Sequence, residues 1–251
     1  MKSQQNQLVY TRLELVLQRL SDAAGTGYTH VICGEISPAK VGVLFKKFDI
    51  NYQISADKNL RARRKRNGLG NAKWIAYLKN DRIYWWLLVT PPSFGNHFAH
   101  SAEKLVDVTQ PEHRLKFEQF ELVKLSYGKP TKPVKPSYQP RVKPARDTWR
   151  IAADDYENLR CQIIGVVRNS HSGPLAGLIH YLYSLPGFGG VRSQVGKLVA
   201  LYQSEIKRAG ILSAPKPLTT LHYVRRLPDT GIRPSVLVES YKIKLAEVDH
   251  G

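Results

Sequence analysis

The chain has 251 residues, of which 42% are hydrophobic, so one large or two ordinary globular domains fit it and wholesale disorder is excluded. Its formal net charge at pH 7 is +18, from 38 Lys and Arg against 20 Asp and Glu. An excess of this size indicates an anionic partner. The two cysteines, Cys33 and Cys161, exclude a disulfide framework and are expected to be buried thiols.

The first part of the chain predicts an α+β domain, residues 1–127, with a mainly antiparallel sheet and flanking helices. A helical stripe of leucines and valines covers 8–20, and a β-rich strand follows over 28–36. Ser37-Pro38 is typical of a helix start, and that helix is expected to run to Lys47. Residues 49–55 predict a short strand.

An aromatic hairpin is the clearest local signal. Residues 74–78 and 83–90 are rich in β-forming side chains, and the four residues between them are polar. A further strand is predicted over 117–126. The aromatic rings favour either stacking on unpaired bases or ordinary packing in a sheet core.

A basic segment, residues 58–73, leads into this hairpin. It carries seven Lys and Arg in sixteen residues, interrupted by two glycines and three asparagines, and it predicts a phosphate-binding loop. Burying that many unpaired cations in a core would cost several kcal/mol each. The predicted nucleic-acid-binding residues here are Lys58, Arg61, Arg63, Arg64, Lys65, Arg66, Asn71, Lys73 and Trp74.

A second basic neighbourhood surrounds a predicted linker, residues 128–146. Five prolines at nearly every third position, with lysines between them, are typical of an extended and semi-rigid tether. Residues 57–82 hold nine Lys and Arg against two Asp, and residues 124–150 hold eight against one. Such concentration indicates phosphate contacts. The predicted contacts in the linker are Lys132, Lys135, Arg141 and Lys143.

Residues 147–251 predict a mostly helical C-terminal domain, with helices over 154–167, 174–185 and 192–209. The last two suggest a helix-turn-helix-like unit in which Arg192, Gln194 and Lys197 face the nucleic acid. Because the connection is longer than three or four residues, a plain helical hairpin is the alternative. Residues 219–227 and 232–244 favour neither helix nor strand.

Together these features predict a nucleic-acid-binding protein, with DNA slightly favoured over RNA and an origin in a mobile element considered. No catalytic residue, metal site or cofactor is predicted. The alternative is a nuclease or DNA-nicking enzyme that uses His97 and His100. A second alternative is a structural subunit of a ribonucleoprotein, or of another large nucleoprotein assembly. A membrane partner is not expected, and the lack of an apolar leader favours a cytoplasmic location.

Overall fold

The computed structural model describes residues 7–126, 145–169, 173–218 and 220–249. The chain divides into two compact units. Unit 1 comprises Met1–Arg114 together with Arg226–Gly251, and unit 2 comprises Leu115–Arg225. Both units combine helices with antiparallel strands, which confirms the predicted α+β class.

Unit 1 is built on a five-stranded sheet. Its strands are β1 (Val9–Tyr10), β2 (His30–Ile36), β3 (Ala72–Lys79), β4 (Arg82–Val89) and β5 (Val106–Asp107), in the order β1-β3-β4-β2-β5. Only the pairing of β1 with β3 is parallel. The predicted aromatic hairpin is confirmed as β3 and β4. Asn80 and Asp81 form its tight turn with φ of 50° and 56°, because Asn and Asp tolerate the left-handed region.

The described helices of unit 1 are α1 (Leu13–Gly25), α2 (Val41–Tyr52), α3 (Lys58–Arg66), α4 (Ala99–Ala102) and α8 (Pro234–Asp249). Short 3-10 turns cover Pro38–Lys40, Pro92–Phe94 and Pro111–His113. The main hydrophobic core joins α2 and α8 to one face of the sheet. Phe45, Trp74, Leu87 and Leu237 are buried in it.

The predicted strand over 49–55 is wrong. Helix α2 continues to Tyr52, and Gln53 ends it in the left-handed conformation with φ of 52°. The Asp49 carboxylate then accepts a hydrogen bond from the backbone N–H of Ser55 at 2.9 Å, which fixes the turn that follows.

The predicted basic loop is also wrong, because most of it is the helix α3. Asp57 caps this helix by accepting a hydrogen bond from the Leu60 N–H at 2.7 Å. Leu, Arg, Ala and Lys are strong helix formers, and they outweigh charge repulsion in a short exposed helix. Gly68, with φ of 68°, ends it in a Schellman-type turn in which the Leu69 N–H donates to the Arg64 carbonyl at 2.9 Å.

Unit 2 contains a three-stranded antiparallel sheet of β6 (Lys116–Phe117), β7 (Phe120–Leu125) and β8 (Arg146–Ile151). Its helices are α5 (Ala153–Asn169), α6 (Gly173–Ser184) and α7 (Gly189–Ala209). The three predicted helices are confirmed, and Gly210 caps α7 with φ of 68°. Trp149, Ile163 and Tyr202 lie in the core of the unit.

The division of the chain differs from the predicted ranges in two places. Strand β7 was placed with the first domain, but it pairs with β8 along its whole length, so its backbone hydrogen bonds hold it in unit 2. Helix α8, from the predicted C-terminal domain, packs in the core of unit 1. Residues 128–144 of the predicted linker lie outside the described residues, and Arg146 already belongs to β8.

Two further observations concern the whole described chain. None of its described helices is long and apolar enough to cross a lipid bilayer. Cys33 and Cys161 are both free and exposed, so the expectation of buried thiols is wrong.

Candidate nucleic-acid interface

A basic cleft lies in unit 1, with a cavity volume of about 860 Å³. Helix α3, the turn between α1 and β2, strand β3, and the segments before β3 and after β4 contribute its lining. Among the described residues that line it, four are basic and none is acidic. The basic ones are Lys58, Arg61, Lys65 and Lys73.

Lys73 projects from β3 on the face opposite to the main core. Its Nζ lies 4.3 Å from the centre of the Tyr28 ring and 3.4 Å from the Thr26 hydroxyl. Burial lowers the pKa of Lys73, and the Arg61 guanidinium lowers it further against the opposing effect of Asp22. The Asp22 carboxylate is itself engaged by Arg19 at 3.4 Å and by Arg226 at 2.5 Å. The cationic form of Lys73 is therefore poorly compensated inside the cleft.

Arg61 is held at the cleft by the backbone around it. Its Nη2 donates to the Ile54 carbonyl at 3.0 Å, and its own carbonyl accepts a bond from the Asn71 side-chain amide at 3.2 Å. The buried Nε of Arg61 has no hydrogen-bond partner in the part of the chain that the structure describes. Asn71 is only 7% exposed, so it positions Arg61 more than it presents a polar group to a ligand.

Arg64 has a structural role. Its Nε and Nη2 both donate to the Gly70 carbonyl, at 3.0 and 2.9 Å, and its Nη1 donates to the Gln53 side chain at 2.6 Å. These bonds tie α3 to the end of α2 and to the start of β3. The guanidinium is thus engaged by the protein and does not line the cleft.

Two glycine-containing turns fix the rim of the cleft. The Gly70 N–H donates to the Asn96 carbonyl at 2.9 Å, and Leu69 forms a parallel bridge with Asn96. Gly95 has φ of 125°, and a Cβ there would overlap the Gly68 carbonyl. The glycines predicted to let phosphates approach instead let two protein backbones approach each other.

The remaining predicted residues of this segment fall into two groups. Arg63 and Arg66 are exposed on α3 but do not line the cleft. Trp74 is 4% exposed and packs edge-on against Phe45, with ring centroids 5.4 Å apart. The predicted stacking role of Trp74 is therefore wrong, because α2 covers its ring.

In unit 2, the residues predicted to face nucleic acid from α7 have different surroundings. The Gln194 amide donates to the Ile151 carbonyl at 3.0 Å and accepts from the Ile151 N–H at 2.7 Å. The Arg192 guanidinium stacks on the Tyr223 ring at 3.3 Å and donates to the Leu221 carbonyl. Both side chains thus serve the packing of unit 2. Lys197 is exposed on α7.

The start of α7 is also covered, which does not fit a helix that enters a major groove. The Gly190 N–H donates to the Thr148 hydroxyl at 3.3 Å, and a Cβ at Gly190 would overlap the Trp149 carbonyl. The predicted linker contacts, Lys132, Lys135, Arg141 and Lys143, lie outside the described residues.

His97 and His100 do not form a nuclease-like pair. His97 is 7% exposed, and its Nδ1 accepts a hydrogen bond from the Ala99 N–H at 3.2 Å. Burial lowers the pKa of His97 to about 4. The His100 Nε2 bonds to the Thr90 carbonyl at 2.9 Å. Within the described ranges, no group of three or more His, Cys, Asp or Glu could hold a metal ion.

Several lining residues were missed by the sequence analysis. Thr26 and Tyr28 lie in the turn after α1, Leu69 follows α3, and Thr90 and Phe94 follow β4. The only sequence signals at these positions are the glycines and prolines that mark turns.

Comparisons with models of protein families, with curated proteins and with solved structures find no match to this chain.

Proposed function

We propose that unit 1 binds nucleic acid, and that the cleft grips its phosphates. The observation that carries this proposal is the set of four basic side chains around one cavity whose described lining contains no acidic residue. Phosphate oxygens would satisfy the lysine and arginine donors directly and would relieve the repulsion between Arg61 and Lys73.

A polymer fits the charge distribution better than a small anion does. Residues 124–150 are a second concentration of Lys and Arg in the sequence, and a chain with regularly spaced phosphates is long enough to meet more than one such neighbourhood. The predicted linker contacts, Lys132, Lys135, Arg141 and Lys143, would add further contacts of the same kind. DNA and RNA share this phosphate chemistry, so the proposal covers both. The proposed location of the protein is the cytoplasm.

The test compares two variants that lose the same charge. The cleft variant replaces Lys58, Lys65 and Lys73 with Gln. The control variant replaces Lys46, Arg63 and Arg66 with Gln, and these three side chains are exposed but do not line the cleft. Fluorescence anisotropy with labelled DNA and RNA oligonucleotides measures affinity at low salt. We expect the cleft variant to lose affinity by about tenfold or more, and the control to lose much less. An equal loss of affinity in the two variants would mean that binding depends on the net charge of the protein and not on the cleft.

A further inference from the structure

Phe94 is an exposed aromatic ring at the rim of the basic cleft. It is 54% exposed although it occupies a well-braced turn. The Phe94 N–H donates to the Pro91 carbonyl at 2.9 Å, and the Gly95 N–H donates to the Pro92 carbonyl at 3.0 Å. The contact of Gly95 with Gly68 holds the same turn against the end of α3. The ring is therefore presented by a rigid segment, so little conformational entropy is lost when a ligand covers it.

The surroundings of Phe94 combine apolar and cationic groups. Leu69, which is 43% exposed, lines the same cleft, and the Lys65 Nζ lies 5.9 Å from the centre of the Phe94 ring. A Cβ at Gly27 would lie 3.7 Å from an edge carbon of this ring, so the turn after α1 lies beside that edge.

Tyr28, the other aromatic residue of the lining, does not offer a free face. It is only 6% exposed, so the protein covers its ring, whereas Phe94 is 54% exposed. Among the described lining residues, Phe94 is thus the ring that a base can stack on, and Lys65 and Lys73 line the same cleft.

We infer that the cleft takes an unpaired stretch of nucleic acid and stacks one base on Phe94, an inference that rests on the proposed function. In a single strand both the base faces and the phosphates are available, whereas stacking and pairing in a duplex cover the base faces. The volume of about 860 Å³ lies within the range typical of ligand clefts and suits a few nucleotides. RNA and DNA strands both supply this chemistry.

The test measures how much of the binding affinity depends on the bases and how much on the phosphates. Wild-type protein is titrated with dT12, with rU12, with an abasic 12-mer of the same phosphate count, and with a 12-base-pair duplex. We expect dT12 or rU12 to bind more tightly than the abasic strand and the duplex. The better of the two strands is then used with the variants.

The variant Phe94→Ala should weaken binding of that strand by on the order of 10- to 100-fold, without changing the affinity for the abasic strand or the salt dependence. Phe94→Tyr should bind like the wild type, because it keeps the stacking face. Phe98→Ala is the matched control, since Phe98 is 63% exposed nearby but does not line the cleft. Thermal unfolding of each variant checks that it is folded.

Three results would overturn the inference: equal binding of the abasic and base-bearing strands, tighter binding of the duplex, or wild-type affinity of Phe94→Ala for dT12 and rU12. Each of these leaves the proposed function standing, because nucleic acid is still bound. Failure of the wild-type protein to bind any of the four probes would instead reject the proposed function and the inference with it.

Discussion

The Nζ of Lys73 lies 4.3 Å from the centre of the Tyr28 ring, inside a cleft whose described lining includes no carboxylate. Burial and the nearby Arg61 lower the pKa of Lys73. The protonated lysine therefore opposes folding at neutral pH. Its cost shrinks as the pH rises from the lowered pKa towards the ordinary value of 10.5.

The first prediction concerns this lysine. Lys73→Met keeps most of the aliphatic stem and removes the charge, so we expect the free protein to melt at the same temperature as the wild type or higher. The same variant should bind nucleic acid more weakly, because a phosphate contact is lost. Thermal unfolding and anisotropy titrations measure the two effects. A lower melting temperature together with unchanged affinity would contradict the assignment.

The second prediction concerns Arg64, which is engaged by Gly70 and Gln53. Arg64→Gln should lower the free energy of unfolding by about 1–3 kcal/mol, because charge-assisted hydrogen bonds to a backbone carbonyl are lost. Arg63→Gln is the matched control, since Arg63 is the exposed neighbour on the same helix. Urea unfolding measures both. Equal stability of the two variants would show that Arg64 does not brace α3.

The third prediction concerns the close approach of Gly95 to Gly68. Gly95→Ala introduces both an unfavourable φ and a backbone overlap, so it should cost more than about 2 kcal/mol of unfolding free energy. Gly68→Ala introduces only the left-handed strain, because nothing lies within 4 Å of a Cβ there, and should cost about 1–2 kcal/mol. Chemical unfolding measures the free energy of unfolding of both variants. A larger loss in Gly68→Ala than in Gly95→Ala would contradict the close contact.

The fourth prediction concerns the acid sensitivity of unit 1. Because burial lowers the pKa of His97 from 6.5 to about 4, the unfolded chain binds a proton more tightly than the folded one between these values. Stability should fall as the pH drops through this window, by up to about 3 kcal/mol. In His97→Gln this part of the pH dependence should be missing. Urea unfolding at several pH values measures it, with the exposed His113→Gln as the control for loss of a histidine.

The fifth prediction separates packing from binding in unit 2. Gln194→Ala removes two hydrogen bonds to Ile151 and should destabilise this unit by about 1–2 kcal/mol. Affinity for nucleic acid should stay unchanged. Hydrogen exchange of β8 amides and an anisotropy titration measure the two quantities. If Gln194→Ala lost affinity while it stayed as stable as the wild type, Gln194 would be a residue that contacts the nucleic acid.

The sequence predicted those elements whose signal is local. The hairpin with its Asn80-Asp81 turn, and the apolar stripe of α7, depend on spacing within one element. Helix α3 was missed because its charge favoured a solvated loop, whereas its cap at Asp57 and its helix-forming residues decide its conformation. The prolines of the predicted linker led to a predicted domain boundary there, but pairing of β7 with β8 joins the flanking strands in one unit.

The cleft was only partly predictable, because long-range contacts assemble it. The basic residues of α3 were identified from composition, but Tyr28 and Phe94 reach the cavity from separate turns. Which of the basic side chains bind the protein itself, as Arg64 does, depends on carbonyls that the local sequence does not locate. Trp74 and Gln194 have the same local pattern whether they contact protein or nucleic acid, and the fold assigns both to protein.

The salt dependence of binding tests the central claim most directly. The logarithm of the binding constant is plotted against the logarithm of the salt concentration, for the wild type and for the variant with Gln at Lys58, Lys65 and Lys73. Loss of three phosphate contacts should make the slope for a single strand shallower by about 2. An unchanged slope, or an equal change in the variant with Gln at Lys46, Arg63 and Arg66, would contradict phosphate binding in the cleft.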